Sequence, residues 1–107
     1  MNELPSEINI LGLTYKVIFD TDKEMDLKAG EAYGWSNIEL QEIHIKEDLA
    51  PDCMHEVFLH EVIEQIAEIG GLDLDHDKQL TPLSVGLNQV MLNRGMRFTK
   101  AKQDENK

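Results

Sequence analysis

The run from Pro51 to Ile69, closed by Gly70-Gly71, constrains this chain more than any other feature. Leu49-Ala50-Pro51-Asp52 is helix-entry chemistry: proline suits the first turn, where its missing N–H is not needed, and Asp52 lies beside the positive end of the helix dipole. Glycine takes the left-handed conformation at little cost, so Gly70-Gly71 marks the stop. Leu59, Val62, Ile63, Ile66 and Ile69 recur at helical spacing as an apolar stripe, and Glu56, His60, Glu64 and Glu68 lie off it. A helix this long spans a small domain, so the rest of the chain has to supply the surface that covers its stripe.

Within the run stands Leu59-His60-Glu61-Val62-Ile63-Glu64-Gln65-Ile66. His60 and Glu64 are four residues apart, which puts both side chains on one helix face about one turn apart, close enough to grip one ion. Glu61 follows roughly 100° around the helix. In HExxH zinc peptidases two ligands come from i and i+4, and the glutamate after the first is the general base. Here a carboxylate stands at the second ligand position. The same spacing also suits an amphipathic helix with a merely solvated acidic face, so the string gains force only from its context.

Composition narrows the context. A chain of 107 residues with 41% hydrophobic side chains is expected to form one domain with a modest core. No stretch approaches the ~18 consecutive apolar residues of a membrane span, and the first residues lack the basic and apolar regions of a signal peptide. The expected setting is therefore the cytoplasm. The formal net charge of −11 argues against capture of nucleic acid or an anionic membrane, both of which need a basic footprint. Half of the ten Lys and Arg residues lie in the last fourteen positions, so the domain is expected over 1–94 and a frayed basic tail over 95–107, with Arg94, Arg97, Lys100 and Lys102. Cys53 is the only cysteine, which rules out an internal disulfide.

Ahead of the helix, Ile8 to Leu11 and Thr14 to Phe19 alternate apolar with polar residues around Gly12-Leu13, a two-residue link suited to a type II′ hairpin turn. The charged segment from Asp20 to Glu31 reads as a loop with at most one helical turn. A second hairpin is expected over 32–36 and 41–46, with Asn37 opening its turn and Ile43 and Ile45 pointing inwards. His44 then alternates to an exposed face. His55 precedes His60 by five residues, about 140° away around the helix, and is a poor co-ligand.

Beyond the glycines, the Asp73-Leu74-Asp75-His76-Asp77 run has the spacing of a calcium loop but not its substance, because Lys78 replaces the glycine at position six and Ser84 the bidentate glutamate. A last helix is expected from Leu80, Leu83, Leu87, Val90 and Met91, a stripe that packs on the long helix. Thr81-Pro82 is either its start or a kink in a helix begun near Asp75. His76 lies twelve positions after Glu64, past a chain reversal, and can return beside the long helix as a third ligand. His60, Glu64 and His76 then have the composition of a His₂Glu zinc site with the order permuted.

From about Ile8 to Arg94 the sequence resembles a family of short proteins encoded by phages and prophages of bacteria, similar to minimal zincin-like metallopeptidases. The residues that carry the resemblance are Ile10-Leu11-Gly12, Gly34 ahead of Ile43-His44-Ile45, Phe58 to Ile66, Leu72 to His76, and Leu87 to Val90. It implies an α+β fold: a small antiparallel sheet of two hairpins, then the site helix and a packed C-terminal helix. It implies zinc on His60, Glu64 and His76, with Glu61 as catalytic base, in a hydrolase cutting a peptide or protein inside the bacterial host cell. For an oxyanion donor the sequence offers nothing beyond Tyr33 or Lys46. The chain departs from the pattern at Glu64, which replaces a histidine and lowers the charge a zinc shows to its water, and at Pro82, inside a usually continuous helix. The alternative expectation is a catalytically silent, metal-stabilised acidic protein that binds a host protein.

Overall fold

The computed structural model describes residues 2–30, 32–95 and 98–100, with side chains over 4–30 and 32–95. Two hairpins form, but they merge into one mixed sheet. β2 (Glu7–Ile10) pairs antiparallel with β3 (Leu13–Asp20), and β4 (Gly34–Asn37) antiparallel with β5 (Glu42–Lys46). β3 and β5 then pair in parallel, giving the order β2-β3-β5-β4. The sheet is therefore mixed, where two antiparallel hairpins were expected. A parallel pair cannot be joined by a tight turn, so the chain between β3 and β5 has to cross over. It does so through α1 (Asp22–Ala29) and β4.

α1 occupies the segment read as a charged loop. Its signal is a capping box: Thr21 accepts from the Glu24 backbone N–H at 3.2 Å, while the Glu24 carboxylate accepts from the Thr21 N–H at 2.8 Å. The first hairpin turns on two residues as expected, but one position earlier and through a different turn type. Ile10 pairs directly with Leu13, so the turn is Leu11-Gly12, both at positive φ (48° and 93°), as a type I′ turn requires.

α2 (Pro51–Gly70) runs across the sheet and ends on Gly71 in the left-handed conformation. Its Met54 and Phe58 join Tyr15, Val17, Ile43, Ile45, Ile10 and Leu4 in the core. The face that meets the sheet is 54, 58, 61 and 65, so the buried line includes Glu61 and Gln65, while Ile66 is exposed. The expected stripe is thus rotated: Leu59 is buried and Val62 and Ile69 pack against the core edge.

His44 is not an exposed strand residue. It does alternate away from Ile43 and Ile45, but there it is buried, stacked on Trp35 with ring centroids 4.3 Å apart. Nδ1 lies 2.9 Å from an Asp20 oxygen and Nε2 lies 2.9 Å from Glu42. Sequence alternation gives the face, and here the second face is covered by α1, which packs on β3, β4 and β5 and buries Met25.

A π-helical turn (His76–Leu80) leads into α3 (Thr81–Asn93). The helix therefore begins at Asp75, whose side chain caps it by accepting from the Lys78 N–H at 2.8 Å. Pro82 has no N–H to give and its ring crowds the carbonyl four residues earlier, which the wider π turn relieves. α3 packs on α2 as expected, but with Ser84 and Asn88 facing it and the preceding Leu80 buried, while Leu83, Leu87 and Val90 are exposed. Short β1 (Asn2–Leu4) and β6 (Phe98–Lys100) pair in parallel, so the stretch expected as a frayed tail contains a strand; 96, 97 and 101–107 lie outside the described residues. Among the described residues no helix is long and apolar enough to cross a membrane.

Candidate metal centre

α2 and the π turn bring together the three side chains singled out from the sequence. His60, Glu64 and His76 each offer a ligand atom, and these atoms lie within 4.8 Å of one another. His60 Nε2 stands 3.7 Å from a Glu64 oxygen, and the His60 and His76 rings meet edge to face at 4.9 Å. Donors around a tetrahedral zinc stand roughly 3.3 Å apart at bond lengths of about 2.0–2.1 Å, so small rotamer shifts are enough to enclose an ion. The group could hold a metal ion.

The surroundings suit that role. Ser84, fully buried on α3, donates to the Thr81 carbonyl at 3.0 Å, which leaves its oxygen to accept from His60 Nδ1 at 3.5 Å. A proton on Nδ1 leaves the Nε2 lone pair facing Glu64 and His76. Burial, and next the neighbouring His76, push the His60 pKa down, favouring the neutral imidazole that a metal needs. Burial also raises the Glu64 pKa, opposed by His76 and reinforced by Glu68. His76 is the most exposed of the three, and its Nδ1 lies 3.1 Å from Asp77. His55, as its angle predicted, is elsewhere: it is buried and bonds to Asn88 through Nδ1.

Glu61 is 5% exposed, a carboxyl group held against the sheet. Burial lifts its pKa to about 7, with a further push from Glu64 and partial relief from the Ser36 hydrogen bond and His76. That relief ends a buried chain of donors: Tyr15 Oη donates to Gln65 Oε1 at 2.7 Å, Gln65 Nε2 to Ser36 Oγ at 2.8 Å, and Ser36 Oγ to Glu61 Oε1 at 2.7 Å. Each link fixes the direction of the next, so one Glu61 oxygen is held as an acceptor.

The sequence reading missed Ser36, Gln65, Tyr15 and Ser84. Gln65 had a signal, since it follows Glu61 by four and shares its helix face. The others come from distant elements and had none. Gly34 enters the sequence only as part of a pattern, and its reason is steric. A Cβ there would stand 2.6 Å from Val57 Cγ1 and 3.0 Å from the His44 carbonyl, so only glycine lets β4 lie this close to α2.

Between β4 and α2 opens a cleft of about 390 Å³, lined by Tyr33, Gly34, Trp35 and Ser36 on one side and by His60, Glu61 and Glu64 on the other, with His76 at its margin. β4 is the edge of the four-stranded sheet. Tyr33 is in the lining; Lys46 is not, and its ammonium sits 5.3 Å over the Tyr33 ring. The chain matches no protein-family model, no curated protein and no solved structure.

Proposed function

We propose that the chain is a small zinc-dependent, zincin-like hydrolase that acts on a peptide bond, with zinc on His60, Glu64 and His76. The observation that carries this reading is the convergence of those three donors beside a buried carboxyl, Glu61, in an open cleft against an edge strand. Two imidazoles and a carboxylate are a zinc donor set that leaves a position open. A zinc ion held there supplies Lewis acidity, which acidifies water and polarises a carbonyl.

The residues of the chain do the rest. Glu61 accepts the proton of the attacking water, and a pKa of about 7 matches a base that must both take a proton and return it to the leaving amine near neutrality. Ser36 holds one of its oxygens, so the other is the one free to take the proton. The free edge of β4 accepts an extended peptide as an added strand, the simplest way to lay a scissile bond along the cleft.

The phage or prophage origin belongs to the same proposal and rests on the sequence resemblance alone. The competing reading is a silent, metal-held acidic module that binds a host protein, favoured by the charge of −11. Glu61→Gln decides between them, because that residue is not among the ligands. Zinc content, measured by elemental analysis, should match the parent, while peptide cleavage should fall roughly 10²–10⁴-fold. Parent protein that stays metal-free after zinc soaking would sink the reading, and a fully active Glu61→Gln protein would sink its hydrolytic half.

A further inference from the structure

α3 sets polar side chains against α2, Ser84 at His60 and Asn88 at His55, and leaves several of its apolar ones exposed. Leu83, Leu87 and Val90 are 52%, 44% and 60% exposed, and at about 100° per residue they fall within roughly 60° of one another on one side of the helix. Gly86 lies beside them. A Cβ at Gly86 would meet nothing within 4 Å, so no contact among the described residues calls for glycine in the middle of a helix, where it is a poor former. None of the thirteen residues of α3 is charged, in a chain where 29% are.

We propose that this face is where two copies of the chain associate, α3 against α3 across a two-fold axis, with Gly86 allowing the helices to approach closely. The charge distribution selects that occupant. α1 carries Asp22, Glu24 and Asp26 against Lys23 and Lys28, and α2 carries Asp52, Glu56, Glu64 and Glu68 with no Lys or Arg. Two chains of net charge −11 that met through those helices would set carboxylate against carboxylate, whereas α3 meets α3 without any charge. A partner recognised by charge finds none to pair with here. A second copy brings the same apolar strip, and a two-fold interface has to be self-complementary.

A helix of this length, about 20 Å, offers less than the roughly 800 Å² per partner of a standard interface, which points to a weak, concentration-dependent association. The cleft is lined by β4, α2 and His76 and by nothing from α3, so the dimer leaves both clefts open. The inference is independent of the proposed activity.

Sedimentation velocity on the full chain from about 5 to about 500 μM tests it. The weight-average mass should climb from 12.2 kDa towards twice that value along a monomer–dimer isotherm. Raising NaCl from about 0.05 to about 0.5 M should tighten association, because it screens the repulsion between acidic copies and leaves apolar contact intact. Leu87→Lys should weaken association at least tenfold with an unchanged circular dichroism spectrum. Leu40→Lys, the same charge change at a leucine 60% exposed in the turn between β4 and β5, should leave it within about twofold. A mass of 12.2 kDa at every concentration, growth past two copies, or equal effects of the two variants would overturn the proposal.

Discussion

Glu61 is where the sequence conflicts most with folding, since a carboxyl group takes a core-facing position on α2. In the folded protein its pKa is about 7, above the usual ~4.5 of the unfolded chain, so the native state binds the proton more tightly. The sign follows from linkage: the metal-free protein loses stability as pH rises from about 4.5 to about 7, by up to about 3 kcal/mol from this group, and the loss is complete above that window. Glu61→Gln escapes it. In chelator, its stability relative to the parent should rise across that window and then stay level, as read by urea denaturation at a series of pH values; a flat difference would mean that Glu61 is solvated. His44 offers a second test. Its ring is the partner of the buried Asp20 carboxyl group, so His44→Leu should cost about 1–3 kcal/mol by leaving that buried acceptor with Lys28, 3.5 Å away, in place of its closest bond. The same denaturation midpoints give the answer.

At the scale of elements, the site depends on how α2 is met by the turn that follows it. α2 was legible from its proline entry, its apolar spacing and its glycine stop because these are local signals. Its rotation was not legible. Which of two neighbouring stripes faces the sheet depends on what the sheet offers, and here Tyr15 and Ser36 offer hydrogen bonds that let Gln65 and Glu61 go inside. The π turn carries His76 to His60, and Asp75 is its cap. Removing that cap with Asp75→Ala costs about 1 kcal/mol of local order. Zinc affinity should drop severalfold while the thermal midpoint of the metal-free protein moves little. Competitive titration against a chromophoric chelator measures the first and differential scanning calorimetry the second. Equal affinity in the two proteins would mean that His76 is not a ligand.

For the whole molecule, two acidic-chain effects meet at the candidate metal centre. Ten Lys and Arg residues stand against twenty-one Asp and Glu, so self-repulsion works against the compact state, and a bound divalent cation relieves part of it. A ligand present at about 100 times its dissociation constant stabilises the native state by about 2.7 kcal/mol. For a chain of this size that is roughly 10–20 °C in midpoint. Zinc should therefore raise the melting temperature by that order, EDTA should reverse the rise, and a protein in which His60, Glu64 and His76 are all alanine should not respond. An equal response in that variant would assign the effect to the diffuse acidic surface.

By itself the sequence determined the order and kind of most elements, the inward direction of Ile43 and Ile45, and the candidate triad of His60, Glu64 and His76. These follow from periodicity, from glycine and proline as stops and starts, and from an i, i+4 pair, all of which act over a few residues. Tertiary structure alone decided that β3 and β5 pair in parallel, that His44 lies buried between Asp20 and Glu42, and that Tyr15, fifty residues from Gln65, begins the chain of hydrogen bonds ending on Glu61. The physical reason is common to them. A buried polar group is tolerated only where partners arrive from elsewhere in the chain, and no local pattern records which distant residue that partner is.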